Sequence, residues 1–299
     1  MPSTSSKPEK ETTTPAGEKL SMHWSIQALL WTVGTIFAGF ACLLMIIALA
    51  LAVAFPNLPD ISDLSDYRPK LPLRVFSAEG DLLAEFGEER RNLTPIADIP
   101  KVMTHAVLAI EDARFYQHGG VDYLGVVRAG LANLGKAKSQ GASTITMQVA
   151  RNVYLSSEKT FTRKIYEILL TFKLEHMLTK DQILEIYMNQ IFLGNRAYGF
   201  AAASDAYYGK PLKDITIAEA AMLAGLPKAP SAYNPISNPQ RARSRQRHII
   251  ERMLENGYID AAEADAAKKQ ELKIKSGNGS NLVHAEYVAE MVRQLMFTQ

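Results

Sequence analysis

Glu111 and Asp112 stand side by side in the segment Glu111-Asp112-Ala113-Arg114-Phe115-Tyr116-Gln117-His118-Gly119-Gly120. Apolar residues at Val102, Ala106, Val107 and Ile110 predict a helix before the pair, and Gly119-Gly120 predicts a stop after it. Both carboxylates then lie near the negative end of a helix macrodipole, which raises a carboxyl pKa and suits a general base or acid. An exposed acidic pair and a structural, hydrogen-bonding His118 are the plainer readings of the same residues. A second segment, 140–148, is dense in small residues and hydroxyls: Gly141, Ala142, Ser143, Thr144 and Thr146, closing on Met147-Gln148, with Arg151 and Lys159 downstream. Hydroxyls, free backbone N–H groups and cations together suit a phosphate or a sugar; a Ser/Thr-rich helix cap has the same composition.

The third segment, 163–178, reads RKIYEILLTFKLEHML. At about 100° per residue, Arg163, Lys164, Glu167, Thr171 and Glu175 share a sector about 120° wide, and most of the remaining surface is apolar. A helix apolar nearly all round is buried, so its polar stripe must face a partner, water or a ligand. Arg163 and Glu167 pairing with each other is the alternative. In the fourth segment, 180–199, Glu185, Tyr187 and Asn189 either line a site or tie helices together, and the mixed chemistry favours the ties. The arginines at 241, 243, 245, 247 and 252 read as a solvated face, or else as contact with anionic lipid.

The elements that must position these residues are mainly helical. Leu73–Phe76 and Leu82–Phe86 flank Ala78-Glu79-Gly80-Asp81, which predicts a β-hairpin. The pattern from Ile99 to about residue 270 is helical. Thr179-x-x-Gln182 and Thr216-x-x-Glu219 are capping boxes, and Gly194, Gly225 with Pro227, and Asn256-Gly257 are stops. Residues 276–281, SGNGSN, read as a flexible joint before one last element, 284–299.

Composition bounds the rest. With 299 residues, 47% hydrophobic and 21% charged, the chain buries a core. The balance of 33 Lys+Arg against 31 Asp+Glu argues against nucleic-acid binding through bulk charge. One cysteine excludes an intrachain disulfide and zinc sites built on several thiolates. No charged residue occurs between His23 and Asp60. That run outlasts the roughly 20 residues a bilayer core needs and the 7–15 apolar residues of a signal peptide. It therefore reads as an uncleaved transmembrane helix over 23–56, after a polar, disordered tail over 1–22. Lys7, Lys10 and Lys19 before it nearly balance Arg68, Lys70 and Arg74 after it, so charge leaves the orientation open.

Taken together, the four segments resemble the peptidoglycan glycosyltransferase (family 51) region of class A penicillin-binding proteins. Glu111-Asp112-x-x-Phe115-x-x-His118-x-Gly120 resembles the family's first motif. Gly141-x-Ser143-Thr144-Ile145-Thr146-x-Gln148 resembles the second. Arg163-Lys164-x-x-Glu167 resembles the third, and Ile183-Leu184-Glu185-x-Tyr187-x-Asn189 with Gly194 and Gly199 the fourth. Order and spacing match as well as residue type, over about ninety residues. Met147 departs from the pattern, standing where many members carry the first of two glutamines.

The resemblance implies a mainly α, lysozyme-like glycosyltransferase domain over 73–275, with a small N-terminal hairpin, a linker over 57–72 and one N-terminal transmembrane helix. Residues 276–299 would be a linker and the start of a missing C-terminal region. Since the chain ends at Gln299, where the connection to a transpeptidase domain would begin, no transpeptidase activity is expected of it. The implied reaction polymerises lipid II into glycan with release of undecaprenyl pyrophosphate. In it Glu111 is the general base, and Glu167 assists the leaving group, directly or through a divalent cation, Mg2+ or Mn2+, on the pyrophosphate. Arg151, Lys159, Arg163 and Lys164 are the implied pyrophosphate partners. Ser143, Thr144 and Gln148 are implied hydrogen-bonders, and Asp112, Phe115 and His118 complete the implied substrate site. The implied partners are lipid II, the growing glycan, membrane lipids and other cell-wall synthesis proteins, with no nucleic acid. The implied location is the inner membrane, with the N-terminus in the cytoplasm and the catalytic domain in the periplasm. The apolar stretch 121–134, followed by Lys136 and Lys138, reads as a second membrane contact or as an ordinary core helix. A lytic transglycosylase or hydrolase on a lysozyme-like fold, and a non-catalytic membrane anchor, are the rival functions.

Overall fold

The computed structural model describes residues 18–54, 56, 58, 72–80, 82–87, 89–133, 143–154, 161–275 and 286–298. The chain divides into two compact units, Met1–Asn57 and Leu58–Gln299. The first unit holds helix α1, Glu18–Ala54, of 37 residues. Its stretch Ile26–Ile46 is long and apolar enough to cross a membrane, and its side chains are exposed. The hydroxyls of Thr32 and Thr35 donate back to the carbonyls of Ala28 and Trp31 at 3.0 and 2.9 Å, so neither polar group is left unbonded in the apolar run. The helix begins at Glu18, inside the tail expected to end at residue 22. Glu18, Lys19 and Leu20 are helix-favouring residue types, which lets the helix run back beyond the apolar stretch.

In the second unit, β1 (Leu73–Phe76) pairs antiparallel with β2 (Leu82–Phe86), and Gly80 turns the chain at φ +92°. The pair β3 (Arg90–Arg91) and β4 (Ala197–Tyr198) is parallel, a contact between distant segments that local periodicity does not announce. The helices are α2 (Lys101–Glu111), α3 (Tyr123–Asn133), α4 (Ile145–Tyr154), α5 (Phe161–Met177), α6 (Lys180–Gln190), α7 (Phe200–Tyr208), α8 (Ile217–Ala224), α9 (Pro239–Glu255), α10 (Ala261–Lys269) and α11 (Glu286–Thr298). Thr179 with Gln182 and Thr216 with Glu219 form reciprocal capping boxes, and Asp260 with Glu263 forms a third.

Two packed groups share one core. Helices α2, α8 and α9 pack on one another, and α4 packs on both α5 and α6. Met103, Val107, Leu170, Leu174, Ile183, Leu184, Ile249 and Ile250 are buried between them. Helix α3 behaves differently. Tyr123 and Leu124 are 66% and 69% exposed, and Val126 and Val127 are also exposed, so core burial does not account for these apolar side chains. Residues 134–142, with Lys136 and Lys138, lie outside the described residues. Helix α11 packs against the hairpin, where the Arg293 guanidinium lies 5.8 Å from the Phe86 ring centre.

Candidate functional site

Glu111 is the last residue of α2, and Asp112 caps that helix. Their two carboxylates part at once. Asp112 is buried and accepts from the Ile145 backbone N–H at 3.1 Å, the first residue of α4; its two oxygens lie 3.0 and 3.1 Å from His118 Nε2. A carboxylate at a helix N-terminus satisfies a donor that lacks an intrahelical partner and meets the positive end of the dipole. Thr144 completes this junction, donating to the Gly120 carbonyl at 2.5 Å and accepting from the Met147 N–H at 3.2 Å. Phe115 is 1% exposed, edge-on to His118, and carries the Lys180 ammonium 4.4 Å above its ring. Asp112, Phe115, His118 and Thr144 thus hold the ends of α2 and α4 together. Replacing Asp112 with alanine strands the Ile145 N–H and His118; thermal unfolding should report a loss of about 2–3 kcal/mol.

Glu111 turns the other way. Its Oε2 accepts from Gln148 Nε2 at 2.8 Å, and the Tyr187 hydroxyl lies 3.5 Å from Gln148 Oε1. Burial pushes the Glu111 carboxyl above the ordinary glutamate value; the Gln148 hydrogen bond and the charges of Arg245, Arg151 and Lys228 oppose that rise. Tyr187 is fully buried, which together with the Glu111 charge pushes its hydroxyl well above the usual tyrosine range and keeps it neutral. Among the described residues Glu111 Oε1 has no hydrogen-bond partner. This half of the site is a carboxylate biased toward taking a proton, with one oxygen available to do so.

Glu167 lies on α5 and is 1% exposed. Its Oε1 accepts from Lys164 Nζ at 2.5 Å, and that ammonium also sits 3.9 Å from the Met147 sulfur. Its neighbour one turn on, Thr171, donates to the Glu167 carbonyl at 2.7 Å. Glu175, at the far end of the stripe, accepts from Thr146 of α4 at 2.5 Å and from Lys180 of α6 at 2.8 Å. The stripe therefore faces α4. On that helix Gln148 reaches Glu111 while the preceding residue, Met147, reaches the Lys164–Glu167 pair, so α4 is the wall the two carboxylates share. Gly120 lets α5 dock there: at φ +89°, a Cβ would lie 2.5 Å from Thr171 Cγ2.

Arg151 sits in the last turn of α4 within electrostatic reach of Glu111, Arg163 lies in the first turn of α5, and Ser143 precedes α4, half-buried. Lys159 lies outside the described residues. The fourth segment ties elements together. Glu185 accepts from the Ile96 N–H at 2.7 Å, and the Asn189 amide bonds both backbone groups of Thr94 at 2.9 Å.

Two residues near Glu111, Arg245 and Lys228, were not expected at the site. Arg241, Arg243 and Arg247 are exposed as a solvated run should be, but Arg245 is half-buried. Its spacing held the signal: it lies three residues after Ala242 and four before Ile249, both on the buried face of α9. Lys228 carries no such mark. Among the described residues no three His, Cys, Asp or Glu side chains converge as a metal cage. Glu167 fits only the pattern in which the protein offers one carboxylate and substrate phosphates and water supply the other ligands. Ser156-Ser157-Glu158-Lys159 has the Ser-x-x-Lys spacing of penicillin-binding nucleophiles, and it lies outside the described residues.

Comparison with known proteins identifies the family. Residues 79–254 match the family model described as Transglycosylase. Penicillin-binding protein 1A of Neisseria gonorrhoeae is 51% identical over 274 residues, which cover 91% of this chain and 34% of that protein. The protein of the same name from Pseudomonas aeruginosa strain PAO1 is 46% identical over 272 residues, covering 91% and 33%. A crystal structure of penicillin-binding protein 1A from Haemophilus influenzae, 30% identical, covers 77% of this chain and 24% of its own, with a TM-score of 0.43. The chain spans about a third of the length of the curated relatives it matches. With more than half its length inside the family match, and with the motif residues grouped around α4, the chain belongs to the transglycosylase family.

Proposed function

We propose that this domain is a peptidoglycan glycosyltransferase that polymerises lipid II, with the growing glycan as donor. The observation that carries the reading is the paired site on α4: a base with one open oxygen and Arg151 within electrostatic reach on one side, and a carboxylate–ammonium pair on the other. Glu111 takes the proton from the acceptor 4-hydroxyl as that oxygen attacks the donor's anomeric carbon. The bond to the lipid pyrophosphate breaks with inversion, and Lys164, Arg151, Arg163 and Lys159 stabilise the charge that develops on the leaving oxygen. Ser143 and Gln148 orient the same ligand, while Thr144, expected to join them, is engaged in fixing the start of α4. A divalent cation, Mg2+ or Mn2+, arriving with the pyrophosphate and held by Glu167, would supply further charge neutralisation. A hydrolase has no pyrophosphate to hold, and a passive anchor has no use for a base beside these cations. Incubating the protein with lipid II and sizing the product tests the reading: long glycan is expected, and fragments from preformed glycan, or no reaction, would overturn it.

We place the protein in the inner membrane, anchored by α1, with its N-terminus in the cytoplasm and the catalytic domain in the periplasm, where lipid II is presented. The exposed Tyr123, Leu124, Val126 and Val127 of α3 rest in the lipid and let the substrate's tail stay in the bilayer. A chain reduced to Leu58–Gln299 should still float partly with liposomes, and replacing those four residues with serine should abolish flotation. Recovery of the reduced chain entirely in the soluble fraction would remove the α3 contact.

A further inference from the structure

We propose that Arg245 is a positioning residue for Glu111: seated where α9 packs on α2 and α8, it presents a cation to the base from a distance and leaves the proton-accepting oxygen unoccupied. The proposal rests on the glycosyltransferase reading, in which Glu111 is the base.

Four observations carry it. First, α9 packs on α2 and on α8, and Arg245 leaves the run of exposed arginines to enter that junction. Second, the side chain has a built seat. A Cβ on Gly225, which caps α8, would lie 2.9 Å from Arg245 Cγ, 3.2 Å from the Met222 carbonyl oxygen and 3.4 Å from Ile249 Cδ1, so the Arg245 stem is the nearest neighbour. Gly225 has φ −78°, a value open to any residue, so backbone conformation does not call for glycine there; room for the Arg245 stem does. The guanidinium lies 5.8 Å from the Tyr233 ring centre, which confines its other side.

Third, Arg245 Nε is buried without a hydrogen-bond partner, and among the described residues no carboxylate makes ion-pair contact with the guanidinium. A partly desolvated cation with an unsatisfied donor is costly unless a charge compensates it. Glu111 is that charge: each group's field favours the ionised form of the other. Fourth, separation matters. A direct guanidinium–carboxylate pair would occupy the carboxylate's oxygens and make it a poor base. Here Gln148 takes Oε2 and Oε1 remains open.

Other groups facing Glu111 are Gln148 and Arg151 of α4, Tyr187 of α6, and Lys228 between α8 and α9. Asp112, next in the chain, is engaged by His118 and the Ile145 N–H. Gln148 and the two other cations remain when Arg245 is replaced, so the expected effect is partial.

The test is the pH dependence of kcat/KM for glycan synthesis from lipid II by the full chain, its Arg245→Met and Arg245→Lys variants, and Gly225→Ala. In Arg245→Met the acid limb should move to higher pH by about half to one unit, a loss of about three- to tenfold at a pH on that limb. Arg245→Lys should restore most of the shift, since it returns the charge without the fork. Gly225→Ala, which pushes the stem from its seat, should shift the limb in the same direction. A lower plateau in Arg245→Met with the acid limb in its wild-type place would make Arg245 a packing residue and overturn the proposal. If that variant does not fold, an unmoved limb in Gly225→Ala overturns it equally. A wild-type chain that makes no glycan overturns the glycosyltransferase reading instead.

Discussion

Replacing Glu111 with glutamine is expected to lower glycan synthesis by about 10²- to 10⁴-fold, the usual share of a positioned base, while lipid II binding stays within about tenfold. Glutamine keeps the shape and can still bond Gln148, but it cannot take the acceptor's proton. The pH behaviour supplies an independent check. Burial raises the Glu111 pKa above the ordinary 4.5, so the acid limb of the wild-type rate profile should lie above that value. The stability effect has the opposite sign from a salt-bridged acid. Between 4.5 and the raised value, the native state binds more protons than the unfolded state, so stability falls as pH rises through that window. Glu111→Gln removes this penalty. The variant should melt above the wild type at neutral pH, and the two should converge below pH 4.5, where both are uncharged. Long glycan from the variant at wild-type rate would end the general-base assignment.

The second large effect is on folding. Gly199→Ala should cost about 3 kcal/mol or more and lower Tm by roughly 10 °C. Gly199 precedes α7 with φ +83° and ψ 158°, a region essentially reserved for glycine. A Cβ there would lie 2.7 Å from the Asn189 carbonyl oxygen, 2.9 Å from its Cα and 3.0 Å from its carbonyl carbon. All three atoms are backbone, so no rotamer change relieves the overlap. The residue struck, Asn189, binds Thr94 and so holds α6 to the segment leading into α2. Gly80→Ala is the control: its φ is also positive, at +92°, but its Cβ would meet nothing within 4 Å. It should cost only about 1 kcal/mol. Equal melting temperatures for the two variants would mean that the α6–α7 junction yields, and the tight packing argument would fail.

Much of this protein is written locally. The hairpin follows from two short apolar runs around Gly80, the capping boxes from Thr or Asp three residues ahead of Gln or Glu, and α1 from an unbroken apolar run. Such features depend on neighbours in sequence, so spacing alone determines them. The polar stripe of α5 was equally legible, since a helix apolar elsewhere must give such a stripe a polar surface to face. The identity of that surface was not. Only packing decided that α4 supplies neighbours to both Glu111 and Glu167, that Glu167 pairs with Lys164 rather than with the equally well-spaced Arg163, and that Asp112 caps α4 while Glu111 turns to Gln148. Exposure of the α3 apolar face and burial of Arg245 are tertiary facts of the same kind. A side chain's periodicity tells which neighbours share its face, but its charge state and chemistry depend on which distant elements desolvate it, and those are chosen when α2, α4, α8 and α9 pack.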